Sequence, residues 1–297
     1  MDSKYIKIAK EFLDSNSKPL GKGENGTVYR LKDKIIKLNF SEEIKTDEYN
    51  NSHILLNKLY EVGTKVQKSF DFGNFNYNNK NVNFQVLSYI DAEHCDVNKF
   101  ESPQLMNLLK STYELHKKLI ELTKSIDDKK IEIATPNFDY IKNNIVNNFH
   151  FDKEIVEYQK RTINDEMFNK ISKNEYILVH QDTNISNILF DKNNVVWFLD
   201  PSFLYAPSVY QIGSFFWNYF EIIHKNIDEA INEWNKLSNE KLNKREVLLF
   251  MLPWAFLVGS FFANKKIKGD FDKYLMNLVK DSSKWIWEEI DKIDNLI

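Results

Sequence analysis

Cysteine is almost missing from this chain. The single residue, Cys95, stands in 297, so no internal disulfide can form, and a reducing, cytoplasmic setting is the expectation. Glycine and proline are scarce as well, at 8 and 6, which predicts long helices and leaves no Pro-rich linker. An excess of one charge is missing too. The net charge is −3, so the composition gives no electrostatic reason to expect a nucleic acid partner. Met1–Lys18 is charged throughout and has no apolar stretch of signal-peptide type. The longest run without charge, Val247–Ala263, is 17 residues with Pro253 inside it. That is shorter than the ~20 a spanning helix needs, so it is expected to be a buried core helix, with no membrane association. No internal repeat is present, and no long block of one charge sign.

What is present is a soluble composition, 42% hydrophobic and 28% charged, ordered in a definite way along the chain. GTVYRL and KIIKL, separated by Lys32-Asp33-Lys34, predict a β-hairpin. A helical pattern then opens at Ser41 and runs to about Tyr60, with Ile44, Leu55 and Leu59 on one face. Val82–Ile90 is a further strand. From Ser102 the pattern turns helical, with Pro103 in the first turn and Leu105, Leu108, Leu109, Leu115, Leu119 and Leu122 at helical spacing. Helices are also expected after Pro136 and over Lys153–Lys170. The short strands YILV, NILF and VVWFL follow, and from Val209 the chain reads as helix. The predicted class is α+β in two lobes. A small antiparallel-sheet N-lobe with one helix takes residues 1–92, and a large, mainly helical C-lobe takes 93–297, the boundary lying near Asp91–Lys99.

Three stretches carry chemistry. Gly21, Gly23, Gly26 and Val28 form a complete G-x-G-x-x-G-x-V. Glycine lets backbone approach phosphate oxygens. The following TVYRL is β-type, which favours a loop between antiparallel strands over the strand-to-helix turn of a dinucleotide fold. Alone, the pattern equally fits an ordinary Gly/Asn hairpin. Lys37 lies on the next strand, opposite in facing to Ile36 and Leu38 because strand side chains alternate. On that face it needs an acid, for which Glu48 is the first choice and Glu43 the second; a lysine snorkelling to solvent is the plainer alternative. The third stretch, His180-Gln181-Asp182-Thr183-Asn184-Ile185-Ser186-Asn187, puts an Asn five residues after an Asp, and Asp200 closes VVWFLD thirteen residues later. Asp182 there can take a proton from an attacking hydroxyl. Asn187 and Asp200 are oxygen ligands suited to Mg²⁺. No second His or Cys stands at zinc spacing.

In this order, Gly21/Gly23/Gly26, Lys37, Glu48, Asp182, Asn187 and Asp200 resemble the protein-kinase-like superfamily, and within it the aminoglycoside phosphotransferase and choline kinase branch. The resemblance spans about Leu20 to Asn218. It implies ATP or GTP with Mg²⁺ as cofactors, and phosphate transfer to a hydroxyl of a small molecule such as an aminoglycoside-like antibiotic, a sugar or an amino alcohol. An antibiotic acceptor would make the enzyme a resistance determinant. The resemblance makes Asp182 the base, Asn187 and Asp200 the metal ligands, and Leu87–Ala92 the hinge, where backbone groups of Ser88 and Ile90 hold the purine. Glu114–His116 is similar to the end of the branch's first long C-lobe helix. Asp200 is followed by Pro201-Ser202 rather than Phe-Gly, no long activation segment precedes Ser208-Val209, and Gln181 replaces the arginine common in protein kinases. These departures weigh against a protein kinase-like effector, and the intact Lys37, Asp182, Asn187 and Asp200 weigh against a nucleotide-binding pseudokinase, the two alternatives kept open. Many relatives have an acid where this chain has Gln211, which bears on how firmly the catalytic loop is held. The acidic tail (Glu288, Glu289, Asp291, Asp294) would attract a cationic acceptor or be a solvated helix face. Trp285 and Trp287 are candidates for stacking on a ligand, or core residues. Monomer and dimer are equally open.

Overall fold

The computed structural model describes residues 4–15, 17–22, 26–41, 46–94, 102–126, 137–147, 153–238, 241–263 and 269–296. They fall into two compact units. The first holds the described residues of Met1–Cys95 and Ile188–Leu199. The second holds those of Asp96–Ile126, Pro136–Asn187 and Asp200–Ile297.

The first unit is built on a five-stranded antiparallel sheet of order β1-β2-β3-β5-β4. Its strands are β1 (Gly21–Lys22), β2 (Gly26–Leu31), β3 (Lys34–Ser41), β4 (Ser69–Tyr77) and β5 (Lys80–Ser88). The expected hairpin is β2–β3, closed by Lys32 at φ 56°. β4–β5 is a second hairpin whose two turn residues, Asn78 and Asn79, both have positive φ, at 49° and 61°. Such a turn matches the twist of the flanking strands, and asparagine tolerates it. One face of the sheet carries Ile36, Leu38, Val82, Phe84 and Val86. On it packs helix α1 (Lys4–Asp14) through Ala9, Phe12 and Leu13. Gly73 of β4 leaves room for the Phe84 ring, which a Cβ would meet at 3.0 Å. Helix α2 runs from Thr46 to Glu61. The expected start at Ser41 was early, because Ser41 is the last residue of β3, paired with Asn81. A small sheet completes the unit: β6 (Glu93–His94), β8 (Ile188–Phe190) and β9 (Val196–Phe198), in the order β6-β8-β9.

The second unit is helical apart from one antiparallel pair, β7 (Tyr176–His180) with β10 (Phe203–Pro207). Its helices are α3 (Ser102–Ser125), α4 (Phe138–Asn147), α5 (Lys153–Asn164), α6 (Glu166–Ile171), α7 (Val209–Asn218), α8 (Phe220–Ile223), α9 (Ile227–Ser238), α10 (Lys244–Ala263) and α11 (Asp270–Asp294). The uncharged run predicted as core is α10. It meets the length and composition of a membrane span, yet two thirds of that apolar window is buried, 67%. It crosses α7 so closely that a Cβ on Gly213 would lie 2.4 Å from the Phe250 carbonyl oxygen.

The single helix expected over Lys153–Lys170 is two, α5 and α6. Asp165 interrupts it in an extended conformation (φ −69°, ψ 129°), and its carboxylate accepts the Phe168 N–H at 3.0 Å. That carboxylate also takes Arg245 Nη2 at 2.8 Å, while Arg245 Nε reaches Asp294 at 2.7 Å. Burial opposes the charged form of Asp165, but Arg245 and the helix N-terminal amides outweigh it and hold the carboxyl below its ordinary range. Asp165→Ala removes a cap and one of the two carboxylates that pair with the half-buried Arg245 guanidinium. The expected cost is about 2 kcal/mol, read as a lower urea midpoint at unchanged slope.

Three of the four tail acids are held in ion pairs, and Glu288 is exposed. Glu289 pairs with Lys244 and Lys292, Asp291 with Arg161, and Asp294 with Arg245. Trp287 is core, with Arg161 lying over its ring at 4.0 Å. Trp285 is half-buried, edge-on to Phe220 at 5.3 Å and to His224 at 5.9 Å.

Candidate active site

The β7–β10 ladder brings two carboxylates to one end of the second unit. His180 is opposite Phe203, and the Gln181 N–H donates to the Ser202 carbonyl at 3.1 Å. Beyond that pair come Asp182 on one strand and Pro201, then Asp200, on the other. The chain between them folds back at once. A single 3₁₀ turn, Ile185–Asn187, returns Asn187 so that its Nδ2 donates to Asp182 Oδ2 at 3.0 Å and to the Asp182 carbonyl at 3.2 Å. Asn184 Nδ2 donates to the other carboxylate oxygen, Oδ1. Asp182 is thus fixed on both oxygens. Its carboxyl is raised above the ordinary value, first by burial and then by the negative charge of Asp200, against the lowering effect of the Asn184 and Asn187 hydrogen bonds. Asp200 is exposed and left-handed, at φ 46°. Few residues other than glycine hold that conformation without cost, and such strain collects at functional positions.

The outer edge of β7 is closed by side chains instead of by another strand. Leu178 N–H donates to Thr123 Oγ1 of α3 at 2.8 Å. Two residues on, Gln211 of α7 takes both backbone groups of His180: Oε1 accepts the N–H at 2.7 Å and Nε2 donates to the carbonyl at 2.9 Å. Gln211 is fully buried. A carboxylate there would accept the N–H but have nothing to give the carbonyl. The departure flagged in the sequence is therefore a complete anchor. The loop that follows hangs from the end of the same helix. Asn218 Nδ2 donates to the Gln181 carbonyl at 3.2 Å and Tyr219 Oη to the Thr183 carbonyl at 2.9 Å, while Trp254 Nε1 holds Asn218 at 2.8 Å. The His180 ring is buried and its pKa is lowered to about 4, chiefly by burial. It is therefore neutral near pH 7, which suits a positioning role.

Gln211→Glu sets a buried negative oxygen against the His180 carbonyl. The expected result is a kcat at least about ten-fold lower with nucleotide Kd unchanged, and a loss of about 2 kcal/mol in stability. Steady-state kinetics beside calorimetry separates the two effects.

In the first unit, one cross-strand row aligns Gly21, Val28, Lys37 and Gln85 on successive strands. Val28 and Lys37 therefore share a face. Helix α2 covers part of it: Asn39 Nδ2 donates to Tyr49 Oη at 3.3 Å, and Gln85 Nε2 to Ser52 Oγ at 3.2 Å. Glu48 stands one helical turn before Ser52 and is exposed. The glycines differ in kind. A Cβ on Gly26 would strike the Leu38 carbonyl at 2.8 Å, so β3 itself requires glycine there. A Cβ on Gly21 meets nothing within 4 Å. Gly23 and Glu43 lie outside the described residues, as does Cys95. In Leu87–Ala92 the Ser88 N–H and carbonyl are both engaged, with Lys68 and Gln67, whereas the Ile90 N–H has no partner among the described residues.

Among family models and curated proteins the chain has no match. Among solved structures it is similar to amicoumacin kinase in complex with AMP-PNP, Ca²⁺ and Ami (13% identity, TM-score 0.70, covering 95% of this chain and 93% of that one). It is similar also to a microcompartment-associated aminopropanol kinase (11%, 0.70, 97% and 98%). The GDP complex of aminoglycoside 2′-phosphotransferase-IIIa is a third (14%, 0.68, 94% and 97%).

The fold is kinase-like.

At these identities the likeness is one of fold, and it extends over nearly the whole chain, beyond the Leu20–Asn218 span of the sequence resemblance. Within the kinase-like fold, the donors for a metal are few. Among the described residues no group of three or more His, Cys, Asp or Glu is clustered, so no cage of such side chains forms. Asn187 spends its Nδ2 on Asp182, which leaves its amide oxygen as the atom able to ligate a cation. Burial first, and the negative charge of Asp200 after it, push the Asp182 carboxyl up. The Asp200 carboxylate and the Asn187 amide oxygen are hard donors of the kind a divalent cation takes, with water and phosphate in its remaining positions. Asn184, Asn218 and Tyr219 were not singled out from sequence. Only Asn184 carried a local signal, an amide two residues after the aspartate.

Proposed function

We propose that this chain is a small-molecule kinase, which moves the γ-phosphoryl group of ATP or GTP to a hydroxyl of a small acceptor. One observation carries the reading: Asp182 and Asp200 emerge together from the β7–β10 ladder, with Asn187 folded back onto Asp182. The kinase-like fold and its small-molecule kinase neighbours support it. Asp182 accepts the acceptor's hydroxyl proton, and that oxygen forms the new bond to the γ-phosphorus. The bond to the bridging oxygen breaks, and the nucleoside diphosphate leaves with the electron pair. A Mg²⁺ ion held by Asn187 and Asp200 would neutralise charge on the phosphates. Lys37, paired with Glu48, supplies a fixed positive charge to the phosphates. The glycine turn from Gly21 through Gly23 to Gly26 brings backbone N–H groups to them, Val28 packs on the base, and Ser88 and Ile90 form the hinge. In this scheme residues 1–92 hold the nucleotide and 93–297 carry catalysis and acceptor. The work is placed in the cytoplasm, in keeping with the lone cysteine.

The test is turnover of both nucleotides, with Mg²⁺, against a panel of aminoglycosides, sugars and amino alcohols, and with an added protein substrate as a parallel arm. Diphosphate release stimulated by one panel member supports the proposal. Label transferred only to protein, or nucleotide binding without turnover, overturns it.

A further inference from the structure

The hinge stretch is unevenly equipped for hydrogen bonding. Ser88 N–H donates to the Lys68 carbonyl at 2.9 Å, and Ser88 Oγ accepts the Lys68 N–H at 3.0 Å. The Ser88 carbonyl is taken from the side by Gln67, whose Nε2 donates to it at 2.9 Å; Gln67 is buried, 6% exposed. Tyr89 N–H is spent on the Asp33 carbonyl at 2.9 Å, and the Arg30 guanidinium lies 3.7 Å over the Tyr89 ring. The first backbone donor without a partner among the described residues is the Ile90 N–H. The stretch therefore offers an open donor, while the acceptor two residues before it is already occupied.

Purine nucleotides differ at the group such a stretch meets. Adenine carries an amino group at C6, which needs an acceptor. Guanine and hypoxanthine carry an oxygen there, which needs a donor. We propose that Gln67 is a specificity-determining residue which, by occupying the Ser88 carbonyl, selects a 6-oxopurine triphosphate such as GTP or ITP over ATP. The inference rests on the hinge role given above to Ser88 and Ile90. A 6-amino group placed at Ser88 must share the carbonyl with the Gln67 amide or displace a buried donor, and a displaced buried donor is costly. A 6-oxo group makes no such demand and takes the Ile90 N–H.

Calorimetry on the intact protein with Mg²⁺ and each of GTP, ITP and ATP reads the ratio directly. GTP and ITP are expected to bind at least about ten-fold tighter than ATP. Gln67→Leu, close in volume and without a donor, frees the carbonyl and should bring the ratio close to one. Gln67→Met repeats the test should leucine prove unstable, and the wild-type ratio needs no variant. ATP binding as tightly as GTP overturns the inference, as does a ratio that survives Gln67→Leu. ITP grouping with ATP overturns it too, because the 2-amino group would then be the group that is read. These results leave phosphotransfer standing, whereas binding of none of the three nucleotides removes both readings.

Discussion

Asp182→Asn is expected to lower kcat by about 10³-fold or more while nucleotide Kd stays within about two-fold of wild type. Asparagine keeps the shape but is far too weak a base to accept the acceptor's proton. Its amide NH₂ would also face one of two donors, Asn184 Nδ2 or Asn187 Nδ2, which now converge on Asp182. One of those amides has to turn. The local cost is that of a single hydrogen bond, about 1 kcal/mol, so the variant should fold and melt as one cooperative unit. Single-turnover kinetics beside a nucleotide titration checks this, and a kcat within ten-fold of wild type would remove Asp182 from the role of base.

Asp200→Asn should be as damaging by a different route. Asn is the better probe than Ala because position 200 is left-handed, at φ 46°. Asparagine tolerates that backbone, whereas alanine adds a conformational penalty of about 1 kcal/mol. What asparagine loses is the charge. Turnover is expected to fall about 10³-fold, and the Mg²⁺ dependence of nucleotide affinity should flatten towards its metal-free value. A variant that still answers to Mg²⁺ as wild type does would mean that the cation is held elsewhere.

Much of the frame is legible in local sequence, and the reasons are physical. The alternation in KIIKL is a property of any strand, so Lys37 opposite Ile36 and Leu38 needs no partner to be deduced. The leucine spacing from Leu105 to Leu122 likewise announces α3 by itself. Strand β10 is different. FLYAP has no alternation and ends in proline, and it becomes a strand only because β7 lies alongside it. The interruption at Asp165 is also invisible, since the helical pattern continues through it. What settles it is the carboxylate closing on the Phe168 N–H and on Arg245, a residue 80 positions away. At the site the same division holds. Asp182, Asn187 and Asp200 show themselves by spacing. Gln211 stands out only through the resemblance, as a departure from an acid, and Asn218 is an ordinary polar residue in a helix until the loop it fastens is in place. Gln67 sits in a loop with no pattern, and only the Ser88 carbonyl gives it meaning.

The contact at Gly213 has a wider bearing. Because α7 lies directly on the backbone of α10, with no side chain between them at that point, the helix that grips His180 and the loop beyond it has almost no freedom to slide. Placement of the Asp182 carboxylate is therefore inherited from the greasiest stretch of the polypeptide. A substitution deep in Val247–Phe256 would register in an assay as damaged chemistry before it registered as damaged folding.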